Sequence, residues 1–117
     1  MIRRHHPPVV MACHCELDVG ELASLAGFQL AHGDLSGADS LLSPSDLPAM
    51  AEHLRRSRQV LVVDGCAMSC GRKAMGRAGV ESFTHLELGN LGLTKGHSPA
   101  DEGNVRKVVE VAKLFLE

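Results

Sequence analysis

The sequence predicts an α/β protein with a small, mainly parallel sheet between two layers of helices, a three-layer sandwich of Rossmann-like type. Apolar, β-branched runs at 9–12 and 59–63 are typical of strands that are buried on both faces. Segments with apolar residues at helical spacing lie between these runs and after them. This alternation favours right-handed crossovers, so the carboxyl ends of the strands should share one edge, where such sheets bind ligands.

The first strand follows two prolines, and the helix after it is predicted to begin at Asp18 as N-cap and to end at Gly33. Gly20 and Gly27 are unfavourable inside a helix, but they would let it approach the sheet closely. The apolar residues at helical spacing that predict this helix are Val19, Leu22, Leu25, Ala26 and Leu30.

Segment 33–46 is rich in Gly, Ser, Asp and Pro and is predicted to be a loop. A short helix is predicted from Asp46, with Asp46 as its N-cap, a proline near its start, and apolar Leu47, Met50 and Leu54 along one side. The second buried strand follows and ends at Asp64 and Gly65.

The second half of the chain predicts two helices around a strand. The first helix runs from about Ser69 to Arg77, with Gly79 as its left-handed cap. The strand is 82–88, in which residues alternate between two faces. In the tail 100–117, apolar residues recur at helical spacing, with acidic residues early and lysines late, as the helix dipole favours.

Length and charge restrict the number of domains and the kinds of partner. The chain has 117 residues, which predicts one domain spanning 1–117. Its 12 Lys and Arg face 14 Asp and Glu, and it has no Trp or Tyr. Nucleic acid is therefore not an expected partner, because the chain has no strong positive charge and, with three Phe, very few aromatic side chains to stack on bases.

The sequence also predicts a cytoplasmic protein that does not enter a membrane. No apolar stretch approaches the roughly 18–20 residues that span a bilayer, and the start of the chain lacks the apolar core of a secretory signal. Four cysteines in such a chain are expected to be reduced thiols with a metal-binding or catalytic role.

The cysteines fall in two pairs, each at the predicted carboxyl end of a strand. Cys13 and Cys15 follow the first strand, and Cys66 and Cys70 follow the second, so all four should meet at one sheet edge. A tetrahedral Zn²⁺ site needs four thiolates or imidazoles at roughly 2.0–2.3 Å. The sequence therefore predicts a metal centre here, with His14 and His97 as substitute ligands.

Thiol chemistry is the first alternative to zinc. Amides at the start of a helix favour the thiolate form of a cysteine. Cys66 or Cys70 could then be the nucleophile of an oxidoreductase or thiol-dependent reductase, with Cys13 or Cys15 as the resolving partner. An iron–sulfur cluster needs the same thiolates and stays open as well.

Phosphate binding is the second alternative. Cys66 to Arg72 has the C-x5-R spacing of tyrosine phosphatases, but Lys73 stands where those enzymes carry Ser or Thr. Arg72 and Lys73 are better explained as cations on a solvent-facing helix surface than as ligands of an anion. No pair of acid–base residues at a recognisable spacing identifies the chain as an enzyme.

Three further residues have structural interpretations, and two of them directly precede the second pair. Gly65 is expected to permit a backbone approach that a side chain would block. Asp64 is expected to cap the following helix or accept loop amides, and so to orient a ligand. His85 is interpreted as an ordinary strand residue.

The segment "VVDGCAMSCGRKAMGRAGV" resembles the central signature of the DGC-domain family, small proteins to which zinc binding is ascribed. "CHCELDVGELASLA" and "LGLTKGHSPADEGNV" are similar to that family's first segment and its closing loop and helix. The resemblance implies a zinc site, and Cys13, Cys66 and Cys70 match its positions.

The chain departs from the family at the fourth cysteine, which the family usually carries in the middle segment. Here that segment is "GADSLLS" and has no cysteine, whereas Cys15 stands in the usually small and polar turn. Three outcomes are open: Cys15 replaces the missing ligand, the site has three protein ligands, or metal binding is lost. Three ligands would leave the open position typical of catalytic zinc.

Overall fold

The computed structural model describes residues 9–13, 18–31, 41–47, 49–57, 59–65, 68–94 and 96–115. Within these residues, the strands form one parallel sheet with the order β2–β1–β3–β4. The strands are β1 (Val9–Ala12), β2 (Leu41–Leu42), β3 (Val60–Asp64) and β4 (Thr84–Glu87). The predicted α/β class with a parallel sheet is thereby confirmed.

Four α-helices cover the two faces of the sheet in the described part of the chain. They are α1 (Asp18–Gln29), α2 (Ala51–Arg56), α3 (Cys70–Arg77) and α4 (Glu102–Phe115). Short 3-10 helices span Pro44–Asp46 and Leu88–Leu91. The predicted helices are all present, although α2 begins clearly later in the chain than expected.

Alternation along the strands divides the core into two halves. Val10, Leu61 and Val63 pack with α1 and α4 on one face of the sheet. Val9, Met11, Val60 and Val62 pack with residues of α2 and α3 on the other face. Strands β1 and β3 are almost completely buried on both faces, which explains why their sequences are continuous apolar runs.

The register of the central strand β3 with β1 and β4 shows where these strands end relative to one another. Val63 is paired with Ala12 of β1 on one side and with Leu86 of β4 on the other. The residues that follow these three positions therefore lie side by side at the carboxyl edge of the sheet.

The prediction of a loop over 33–46 is wrong at its end. Leu41 and Leu42 form β2, which pairs in parallel with Val10 and Met11 of β1. This pairing adds hydrogen bonds to the edge of a short sheet, a long-range effect that the local Ser- and Pro-rich composition does not reveal.

The predicted start of the second helix at Asp46 is also wrong. The Asp46 carboxylate accepts the Ser43 amide at 2.7 Å in a capping box at the start of the 3-10 helix, and α2 begins only at Ala51. Ser43 is the N-cap of this 3-10 helix and Asp46 is its N3 residue, so the Asp46 carboxylate accepts an amide that precedes it in the chain, whereas an N-cap aspartate accepts one that follows it.

The end of α3 agrees with the prediction. Gly79 has a positive φ of 79°, and the next amide, that of Val80, donates to the Met75 carbonyl at 2.9 Å. This is the left-handed termination that glycine favours.

None of the helices in the described ranges is both long enough and apolar enough to cross a membrane.

Candidate functional site

Cys13 lies at the carboxyl edge of the sheet, directly beside Asp64. Its amide donates to the Val63 carbonyl at 3.0 Å, which extends the β1–β3 pairing by one residue beyond Ala12. Alternation along β1 then places Cys13 on the face of Met11, the face covered by α2 and α3. Cys13 is buried.

Asp64 joins the end of β3 to the start of α3. Its carboxylate is completely buried and accepts the backbone amides of Gly71 at 2.8 Å and of Arg72 at 3.1 Å. It therefore satisfies amides that would be without intrahelical partners at the helix start, although it is not part of that helix. The structural interpretation of Asp64 as a cap is confirmed.

His85 completes the contacts of Asp64. Its Nε2 lies 2.8 Å from Asp64 Oδ2, and the His85 side chain is 22% exposed. The interpretation of His85 as an ordinary strand residue missed this contact. The sequence carried one signal of it, since alternation along the strand places His85 on the same face as Glu87. This face lies beside Asp64 because β4 pairs with β3.

Cys70 is the first residue of α3 and is exposed. It precedes Gly71, whose amide is bonded to Asp64, so its backbone lies at the same sheet edge as Cys13. A Cβ at Gly71 would stand 2.9 Å from Asp64 Oδ1, which means that glycine lets the helix start approach this carboxylate. The fixed start of α3 determines where Cys70 lies.

Ser69, immediately before Cys70, has a left-handed backbone with φ 51° and ψ 53° and is buried. This conformation costs roughly 1–2 kcal/mol for a residue with a Cβ. The strain lies in the turn between the two cysteines of the second pair, and such strain often accompanies functional loops.

Gly65 follows β3 and lies against the first turn of α1. A Cβ at this position would overlap the Val19 carbonyl and would stand 2.9 Å from the Gly20 amide nitrogen. The prediction that Gly65 permits a close backbone approach is confirmed.

Asp18 brings the segment around His97 to the same edge. Its carboxylate accepts the amides of Val19 at 2.8 Å, Gly96 at 2.9 Å and Ser98 at 2.9 Å. Because Val19 also contacts Gly65, this segment lies near the end of β3. His97 is exposed there, and its amide donates to the Thr94 carbonyl.

Because of these hydrogen bonds, the contribution of Asp18 to the stability of the fold depends on pH. The Gly96 amide, followed by the Ser98 amide, holds the pKa of the Asp18 carboxyl below its ordinary value of 3.8. A lowered pKa in the folded state means that Asp18 stabilises the protein above pH 3.8 and that this contribution is lost as the pH falls through the lowered pKa.

We expect the amide resonances of Gly96 and Ser98 to shift together in an NMR titration, with a midpoint below pH 3.8. In Asp18→Asn, which does not titrate, both shifts should be absent. A midpoint above the ordinary aspartate value in the wild-type protein would contradict this account of the segment.

The structure brings some of the predicted ligands to one edge and leaves the others untested. Cys13, Cys70 and His97 lie at the carboxyl edge, whereas Cys15, Cys66 and His14 lie outside the described residues. Among the residues that are described, no group of three or more His, Cys, Asp or Glu side chains is arranged to hold a metal ion. The four-cysteine centre thus stays a prediction.

Arg72 and Lys73 are exposed on α3. The amides of Gly71 and Arg72, which a phosphate would need at this helix start, are already bonded to the Asp64 carboxylate. In the described structure these two amides therefore bind a carboxylate of the protein itself.

Fold and site together define a small α/β protein with thiols at the carboxyl edge of a parallel sheet. The sequence profile of the DGC domain matches residues 9–112, and the chain belongs to the DGC domain family. The chain is also similar to the "Anaerobic and virulence modulator AnvM" of Pseudomonas aeruginosa, with 27% identity over 111 residues, which cover 94% of this chain and 81% of that protein. No solved structure matches the chain.

Proposed function

We propose that the chain binds a zinc ion at the carboxyl edge of the sheet through Cys13, Cys66 and Cys70. The fourth ligand would be Cys15 or a histidine, either His14 or His97. The observation that carries the proposal is the placement of two thiols, Cys13 beside Asp64 and Cys70 at the helix start that Asp64 holds. Thiolates and imidazoles are the donors that Zn²⁺ prefers.

The contacts of Asp64 give it a positioning role in this site. Both of its oxygens are engaged, Oδ1 by the Gly71 amide and Oδ2 by the Arg72 amide and His85, so it is not proposed as a ligand. It fixes the start of α3, and with it Cys70, relative to the end of β1. A bound zinc ion would supply a Lewis acid if one coordination position stayed open.

The same contacts weigh against phosphate binding by the C-x5-R segment. A phosphate at the start of α3 would meet the negative charge of Asp64 and would find two amides already bonded. Redox chemistry between the thiols is a second alternative to zinc binding, and it predicts a reversible disulfide. Mass spectrometry under mild oxidant distinguishes the two, since four free thiols would count against the redox function.

We propose zinc binding for this chain without assigning a reaction to it.

Protein purified without added metal is expected to contain about one zinc ion per chain by elemental analysis. Cys66→Ser should lose it, because a hydroxyl is a poor replacement for a thiolate. Retention of zinc in Cys15→Ser would indicate that Cys15 is not a ligand. The site would then have either three protein ligands, Cys13, Cys66 and Cys70, or these three and a histidine.

The matched control is His53→Asn, which removes an exposed imidazole from α2. Imidazole is a possible zinc ligand, but this one lies outside the proposed site, so the zinc content should stay unchanged. A chelator should lower the melting temperature without unfolding the chain, because the two core halves are formed by apolar packing. Wild-type protein without zinc, or zinc that persists in both Cys66→Ser and Cys13→Ser, would overturn the proposal.

A further inference from the structure

The exposed side of α3 carries positive charge that the helix itself does not balance. Arg72, Lys73 and Arg77 are exposed, and the helix contains no acidic residue. The chain as a whole has a net charge of -2, so this excess is local. Arg72 lies in the first turn, where the helix dipole disfavours a cation. Residues that are locally unfavourable for stability are typical of functional surfaces.

Acidic side chains on two elements that adjoin α3, the helix α2 and the 3-10 helix Pro44–Asp46, are engaged elsewhere. Glu52 of α2 pairs with Arg55 at 2.9 Å and with Arg56 at 3.2 Å, and Arg55 holds the Glu52 pKa below its ordinary value. Asp46 accepts the Ser43 amide. In the described part of the chain, no acidic side chain forms an ion pair with the three cations of α3.

A groove lies next to this charge, between α3 and the 3-10 helix Pro44–Asp46. Its volume is about 260 Å³, and Arg77 stands in its wall. Lys73 is four residues before Arg77 and therefore lies on the same side of the helix. The apolar part of the wall consists of Pro44, Leu47, Ala74 and Ala78.

The size and lining of the groove favour a peptide over a small molecule. Its volume is below the range of about 300–1,000 Å³ that is usual for small-molecule pockets, but it accommodates an aliphatic side chain. Cations at the rim of an apolar recess are complementary to a segment with both apolar and acidic residues.

We propose that this surface, defined by Lys73, Arg77 and the four apolar groove residues, docks an acidic segment of a partner protein. An aliphatic side chain of that segment fills the groove, and neighbouring carboxylates pair with Lys73 and Arg77. The absence of Trp and Tyr from the chain argues against nucleic acid, because no such rings are available to stack on bases. A recessed groove also has no apolar side chain to insert into a lipid surface.

The test uses a random decapeptide library panned against the full chain. We expect the selected peptides to combine Asp or Glu with Leu, Ile or Met. Measured by fluorescence anisotropy, their affinity should fall at least about tenfold in Lys73→Glu/Arg77→Glu, because attraction becomes repulsion. A similar loss is expected in Ala78→Leu, which fills the groove.

The matched control is Arg106→Glu/Lys107→Glu, which makes the same change of charge on the exposed side of α4. Its affinity should stay within about twofold of the wild type, since surface charge acts weakly over distance at physiological salt. Circular dichroism confirms that each variant is folded. Binding should persist after treatment with a chelator, so failure here is distinguishable from failure of the zinc proposal.

Selection of peptides without acidic residues, or no selection at all, would overturn the docking surface. So would equal binding of single-stranded DNA or of phosphatidylglycerol vesicles with the same loss in Lys73→Glu/Arg77→Glu. Those results would show a general attraction of anions without recognition of a protein segment.

Discussion

Asp64→Asn is expected to destabilise the protein by about 3 kcal/mol, because it disrupts charge-assisted hydrogen bonds in a buried place. Asp64 is completely buried and accepts the amides of Gly71 and Arg72. Asparagine has nearly the same shape but offers only one acceptor oxygen, so its NH₂ group would face a second donor. One amide at the start of α3 would then be buried without an acceptor.

Asp101→Asn is the matched control for this prediction. Asp101 also accepts an amide at a helix start, that of Asn104 at 2.9 Å, but it is exposed to solvent. Asparagine is about as good an N-cap as aspartate, so the cost there should stay below about 0.5 kcal/mol. Urea denaturation of both variants measures the difference, and equal effects would show that Asp64 does not hold α3 in the way described.

The importance of Asp64 was accessible from the sequence because it ends an apolar run and precedes a predicted helix. Both signals are local, and both depend on residue types with a definite structural preference. The position of Cys13 was accessible for the same reason, since a parallel sheet brings the ends of its strands to one edge.

Contacts between residues far apart in the chain were not accessible in this way. Asp18 was predicted as the N-cap of α1, but its carboxylate also binds the amide of Ser98, 80 residues later. His85 reaches Asp64 only because β4 lies beside β3. A single sequence carries helical and strand periodicity, but it does not state which distant backbone amide a carboxylate will meet.

The family resemblance and the structure contribute different information about the metal site. The resemblance singles out Cys13, Cys66 and Cys70, and membership of the DGC domain family is established by the match over residues 9–112. The structure adds the reason why Cys13 and Cys70 share an edge, which is the connection from β3 through Asp64 to α3. The ligand count depends on Cys15 and Cys66, which lie outside the described residues.

Gly65→Ala is expected to cost about 3 kcal/mol, since two segments of backbone meet there and neither yields as a flexible side chain would. The added Cβ would overlap the Val19 carbonyl, at the point where α1 packs against the end of β3. To relieve that contact, α1 would have to move away from the sheet and expose part of the core formed by Val19 and Leu22.

The same substitution at Gly76 should have the opposite sign. Gly76 is an exposed helical residue in the last turn of α3, and a Cβ there would meet no atom within 4 Å. Alanine is favoured over glycine inside a helix, so Gly76→Ala should stabilise the protein by about 0.5–1 kcal/mol. Urea denaturation of the two variants under identical conditions measures both changes. A Gly65→Ala protein as stable as Gly76→Ala would mean that the end of β3 and the first turn of α1 are not in contact, and the edge that places Cys13 and Cys70 together would have to be reconsidered.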